Sequence, residues 1–360
     1  MPTITIFFTS GHGSFLVPQN YTEFVSFEAI GSGGNGYWGG GGGGAYAIST
    51  NVTGLSTGST IYYNVGSPGS QGVNIKGGSS WFNIASNTAP TSSTYGVLAV
   101  GGSSPKNTTI VSNAGVGSSC VPSGYSGGNG GVSLASGQTI NTGAGGGGAA
   151  GPLGPGGNGG NGYYINIQTN KIYPSSGSKA YTQNIFAGGG GGGANGGFDG
   201  STASSAIGGN GGASGMSGST GGVGGTPTVP PTLGTNGGGG AGCAGTDSFF
   251  NAPTSPNYRT TLTSNNQGAN GSMTPIWVGS VYPDISGRGS FLGPGGGGGA
   301  GIINGIGFAG GNGGGYGAGG AGTQTTQSGL GSGGLLVFTY VSYTIDVGPG
   351  ILIGEGVLFN

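Results

Sequence analysis

Between residues 145 and 160 every third position is glycine: Gly145, Gly148, Gly151, Gly154, Gly157 and Gly160. A second run does the same at Gly209, Gly212, Gly215, Gly218, Gly221 and Gly224. Shorter runs recur at Gly33, Gly36, Gly39, Gly42 and at Gly311, Gly314, Gly317, Gly320, with fragments around 124–131, 188–197, 237–245 and 293–301. The positions between are mostly more glycine, then Ala, Asn and Ser. Three residues per turn is the repeat of the polyproline II helix, which rises about 3.1 Å per residue and makes no internal hydrogen bonds. Its backbone N–H and C=O groups point outward, and if they are buried they need partners. Helices that lack Cβ atoms can approach closely enough to bond one another. One such helix would not hold alone, because ordering glycine costs more backbone entropy than ordering any other residue. The spacing therefore predicts a packed bundle of glycine-rich polyglycine II helices. A central helix should be nearly pure glycine, as 188–193 is, and an outer helix can show a side chain at every third position. The competing reading, flexible linkers between small strands, does not explain the shared register.

Composition narrows the field further. Glycine supplies 100 of the 360 residues, which excludes a helical protein because glycine costs roughly 1 kcal/mol per helical position relative to alanine. Only 18 prolines and no strict Gly-X-Y repeat exclude collagen. Six basic and seven acidic residues cannot neutralise a run of phosphates, so no nucleic-acid partner is expected. The same scarcity of acids, bases and metal ligands argues against an enzyme and against any cofactor or metal site. No apolar window is long enough for a transmembrane helix, so no membrane insertion is expected. The start, MPTITIFFTS, lacks the basic region of a secretory signal peptide. Cys120 and Cys243 could pair if the protein leaves the cell, while cytosolic assembly favours free buried thiols. The match of residues 31–36 to G-x-G-x-x-G carries little in so glycine-rich a chain, because Tyr37 and Trp38 follow where a dinucleotide site needs a helix. His12 reads as a turn residue, and the spacing of Asp199, Asp247 and Asp284 fits no cation loop.

Three textures divide the chain. Residues 1–100 form a β-rich part with the first glycine run. Its strand candidates are 4–8, 14–18, 24–30, 45–50, 60–65 and 95–100, β-branched and aromatic runs bounded by Gly, Pro, Asn or Ser. Alternation in 24–30 places Val25, Phe27 and Ala29 on one face and Phe24, Ser26, Glu28 and Ile30 on the other. Residues 101–334 form the bundle with two aromatic inserts, 163–187 and 246–292. Residues 335–360 are a closing strand and an apolar tail, ILIGEGVLF at 351–359. The first and last strands can pair, so the expected fold is mainly β, a small sheet or sandwich of N- and C-terminal strands framing the bundle.

The order of landmarks resembles the glycine-rich domain of bacteriophage tail and tail-fibre proteins. The matching residues are Val17-Pro18, the strand Phe24–Ile30 running into glycine, Ala45–Thr50, Tyr63–Gly66 and Val337–Tyr340. The likeness spans about 14 to 340, and the chain beyond Tyr340 departs from it. The architecture is also similar to the polyglycine II fibre-tip adhesins of T-even-like phages. That resemblance implies a virion protein at the tail or fibre tip, assembled in the bacterial cytoplasm. Its partners would be a bacterial outer-surface protein or glycan and other virion tail or fibre proteins. The alternative is a purely structural decoration or fibre protein, with the C-terminal tail as its docking or homo-oligomer contact. Loops on a rigid scaffold are where recognition concentrates. Tyr, Trp and Arg amid Ser, Gly and Asn is paratope composition, which nominates Tyr173 and Tyr181 in the first insert. Phe249, Phe250, Tyr258, Trp277 and Tyr282 are nominated in the second.

Overall fold

A computed structural model describes residues 1–343 apart from 70–74, 106–112, 134, 137–138, 141, 174–176, 205–206, 253–254, 265–266, 285–289, 302–308 and 323–327. Over 135–136, 139–140, 164–173, 177–186, 245–252 and 255–264 it describes the backbone alone. The expected apolar tail at 351–359 lies outside the described residues. The described chain is mainly β. It carries no α-helix, only a short 3-10 turn at Gly117–Ser119.

The strands of the N-terminal part are β1 (Thr3–Phe8), β2 (His12–Leu16), β3 (Tyr21–Ile30), β4 (Tyr46–Ser49), β5 (Thr60–Asn64), β6 (Ser80–Asn83) and β7 (Gly96–Ala99). Further along come the short β8 (Ala135–Ser136) and β9 (Thr139–Ile140), then β10 (Tyr163–Tyr173), β11 (Gly177–Ala187), β12 (Ala244–Ala252) and β13 (Ser255–Ser264). The last are β14 (Trp277–Val281), β15 (Ser290–Leu292) and β16 (Leu335–Ser342). One sheet has the order β15-β14-β1-β16-β3-β4, and a second has β2-β5-β6-β7. The first and last strands do pair: β1 lies antiparallel to β16, with Thr3 opposite Val341 and Phe8 opposite Leu336.

These two sheets face each other across one aromatic core. Phe8, Phe27, Leu336 and Phe338 come from the first sheet, and Ile61, Phe82 and Val97 from the second; all are 1% exposed or less. Each such burial stabilises by about 1.5–3 kcal/mol. Edge-to-face packing adds to it, with Phe8 meeting Phe82 at 5.1 Å and 84°. On the back of the first sheet Phe7, Ile30, Leu335 and Val337 form a second cluster with Ala149 and Ala150 of the glycine-rich body.

One strand departs from simple alternation. Ser26 is opposite Thr339, but the next partner of the following residue, Tyr340, is Phe24. Val25 is skipped, a bulge that turns the strand by one residue. Phe24 consequently joins Phe27 in the core, their rings 4.9 Å apart, while Val25 is 38% exposed. The predicted pairing of Val25 with Phe27 and Ala29 is thus corrected.

The glycine-rich segments outside the strands bond to one another through the backbone. Successive residues turn to different neighbours, and the same neighbour returns after three. Gly31 and Gly34 donate to Ala45 and Gly42, whereas Gly33 and Gly36 donate to Ser332 and Gly329. Segment 142–151 is bonded on all sides, to 39–45, 126–133, 155–162, 187–195, 293–301 and 316–322. At Gly145–Gly148 there is no room for side chains. A Cβ on Gly145 would fall on the Gly190 carbonyl, and one on Gly148 on the Gly193 carbonyl.

Candidate binding surface

The register of these bonds gives the molecule two ends. One line of donors runs Gly43 to Gly128, Gly128 to Gly148, Gly148 to Gly157, Gly157 to Gly193 and Gly193 to Phe198. Gly43 leads within three residues into β4, so this line lies on the sandwich side. Three residues away a second line runs Gly40 to Gly131, Gly131 to Gly145, Gly145 to Gly160, Gly160 to Gly190 and Gly190 to Ser201. Whatever leaves the chain just beyond the second line stands at the end away from the sandwich. β10 starts three residues after Gly160, and β11 ends three before Gly190. The start of β12 follows Cys243, whose carbonyl accepts from Gly188.

The predicted loop 163–187 is therefore a long antiparallel hairpin, β10–β11. It continues through β12 and β13 into a four-stranded sheet, β10-β11-β12-β13. The predicted insert 246–292 is not one unit. Its first part is β12–β13, a glycine segment at 268–271 follows, and β14 then returns to the sandwich, where it pairs parallel to β1.

The nominated residues divide accordingly. Across the far sheet the register sets Thr169 opposite Tyr181, Tyr181 opposite Phe250 and Phe250 opposite Tyr258, one row over four strands. Phe249 lies one position off this row, opposite Thr182 and Arg259. Tyr173 closes the first hairpin opposite Gly177, beyond the paired Lys171 and Lys179. Two aromatic residues that sequence reasoning noticed only as interrupters stand at the same end. Tyr37 and Trp38 occupy the turn before Gly40, half-buried, their rings stacked at 5.3 Å and 20°. Two adjacent aromatics between glycine runs were the available signal.

Trp277 and Tyr282 belong elsewhere. Tyr282 stacks on Phe8 at 4.9 Å and meets Phe15 edge-on at 5.2 Å, completing the core of the sandwich. Trp277 packs on the back of the first sheet, parallel to Tyr46 at 6.5 Å. Both nominations came from treating 246–292 as one loop; β14 and the residue just after it carry these rings into packing instead. Trp277 also helps enclose Glu28, which is 8% exposed. The Tyr46 hydroxyl donates to Glu28 Oε2 at 2.5 Å, and the Trp277 indole N–H and the Ser26 hydroxyl donate to the same carboxylate. Burial pushes the Glu28 carboxyl above its ordinary range, and the three donors pull the other way without overcoming it. Burial and the neighbouring Glu28 likewise raise Tyr46.

No protein-family model and no curated protein matches this chain.

The remaining chemistry is sparse. Among the described residues no three of His, Cys, Asp and Glu come together as metal ligands. Cys120 and Cys243 are both buried as thiols rather than joined as a disulfide, and burial raises the Cys120 thiol. His12 is exposed on β2 and Asp199 is exposed on a glycine segment, where its Oδ1 accepts from the Asn158 N–H at 2.6 Å. No helix among the described residues is long and apolar enough to cross a membrane. The far end therefore brings together a sheet edge, a row through Tyr181, Phe250 and Tyr258, and the paired Lys171 and Lys179.

Proposed function

We propose that this chain is a non-enzymatic adhesin at the tip of a bacteriophage tail or tail fibre. It binds a bacterial outer-surface protein or glycan through the far end and other virion proteins through the opposite end. The body is a packed bundle of polyglycine II helices, a reading supported by the three-residue return of each hydrogen-bond partner. Such a bundle is a stiff spacer that keeps the binding end away from the sandwich. The observation that carries the functional reading is the row Thr169, Tyr181, Phe250 and Tyr258, aligned by register at the end opposite the sandwich. Aromatic rings give large contact area at low entropy cost and stack on sugar rings or apolar side chains. The lysines at 171 and 179 suit the anionic groups of an outer bacterial surface.

The test is whole-cell binding by the purified chain and by Tyr181→Ala/Phe250→Ala. The variant should keep the unfolding transition of the parent and bind host cells at least tenfold more weakly, the loss of about 1.4 kcal/mol or more. Unchanged binding by a folded variant would favour a purely structural virion role.

A further inference from the structure

Inside the body each backbone N–H named above finds a backbone carbonyl of a sister segment. At several positions on its outer faces it does not. There the acceptor is a side chain of the adjacent outer segment. Ala114 N–H donates to Asn129 Oδ1 at 2.9 Å, Asn129 N–H to Asn158 Oδ1 at 2.8 Å, and Asn158 N–H to Asp199 Oδ1 at 2.6 Å. One turn further along, Val132 N–H donates to Asn161 Oδ1 at 2.8 Å. The opposite face is built alike, with Asn312 N–H on Asn270 Oδ1 and Leu330 N–H on Asn312 Oδ1, both at 2.8 Å. Asn129, Asn158 and Asn161 are all exposed. These carboxamides occupy the seat that another glycine segment would take.

We propose that the face of Asn129, Asn158 and Asn161 is a masked self-association surface. Its asparagines terminate the glycine packing and keep a second copy of this chain from adding as a further layer. Each carboxamide does two things. Its oxygen satisfies an N–H that would otherwise bond a newcomer's carbonyl. Its Cβ holds a newcomer's backbone beyond bonding distance, as glycine would not. A second copy is the fitting occupant because its own outer face has the same three-residue spacing, and its backbone groups come free once its asparagines are removed. A formal net charge of −1 offers almost no repulsion between copies.

The test compares three triple variants of the full chain at positions 129, 158 and 161, by light scattering after size exclusion over a wide concentration range. Asn→Gly frees the N–H groups and removes the Cβ, and its mass should rise with concentration toward twice the wild-type value. Asn→Ala frees the N–H groups but keeps the Cβ; its amides at 114, 129 and 132 should exchange faster while its mass follows the wild type. Asn→Asp keeps an acceptor oxygen and should match the wild type in both. If the glycine triple variant does not fold, Asn158→Gly alone should show a weaker rise in mass. A folded glycine variant, triple or single, whose mass tracks the wild type at every concentration overturns the proposal. So does association of the alanine variant equal to that of the glycine variant.

Discussion

The sandwich and the glycine-rich body solve one problem by opposite means. In the sandwich, Phe8, Phe27, Phe82 and Phe338 hide apolar surface, and the backbone bonds follow from strand pairing. In the body there is almost no side chain to hide, and cohesion rests on backbone N–H groups meeting carbonyls of sister segments. Each such bond contributes only about 0.5–1.5 kcal/mol net, so the body needs many together to offset the entropy of ordered glycine. The contrast teaches that the two regions fail to opposite changes. The sandwich is damaged by losing atoms, and the body by gaining them.

The largest expected effect breaks the body. Gly148→Ala adds one methyl group that falls on the Gly193 carbonyl, a backbone atom held on both sides. Its cost should exceed the usual overpacking range of about 1–3 kcal/mol and abolish the cooperative unfolding transition in a denaturant titration. A variant as stable as the parent would mean the segment at 145–150 is not tightly enclosed. Next comes the sandwich, where Phe338→Ala should cost about 3–5 kcal/mol by leaving a cavity, read as a lower denaturant midpoint. The converse control, Phe338→Leu, should lose less than half of that, because the sandwich tolerates changes of shape better than changes of volume.

A smaller effect comes from Glu28, where the two regions meet the back of the first sheet. Its folded pKa is raised, so between the unfolded value of 4.5 and the folded value the native state holds more protons than the unfolded one. The contribution is therefore complete below the unfolded value and is lost as pH rises through the folded value. Thermal midpoints should fall from pH 4 toward neutrality, and Glu28→Gln should flatten that slope. A steeper slope in the variant would show that another group is responsible. The smallest effect is Tyr46→Phe, which removes the 2.5 Å donor to Glu28 and should cost about 1–3 kcal/mol, with the ring's stacking on Trp277 retained.

Much of the architecture was legible before any coordinates. The strands at 4–8, 24–30 and 335–345 were visible because β-branched and aromatic runs stand out against glycine, the last ending at Ser342 in the structure, and so was the pairing of the two chain ends. The bulge at Val25 was not visible, since alternation fixes faces only while the register is unbroken, and the partner strand decides where it breaks. The hairpins at 163–187 and 244–264 were misread as loops because Asn, Thr, Ser and Gln dilute the strand signal that their pairing supplies. Of the seven nominated residues, Tyr173, Tyr181, Phe249, Phe250 and Tyr258 share the far sheet, whereas Trp277 and Tyr282 went to packing for a reason no local pattern carries.

What the sequence determined alone is the rule of close approach: a residue without a Cβ at every third position commits the chain to backbone meeting backbone. What only the tertiary structure decided is which segments meet, where asparagine oxygens accept backbone N–H groups on an outer face, and which aromatics stand at the far end. Period three is a property of one strand of chain, written locally. Neighbours are chosen by the folding of distant parts onto one another, so the difference between a half-buried Trp277 packed on the first sheet and a row through Tyr181 and Phe250 exists only once the whole is assembled.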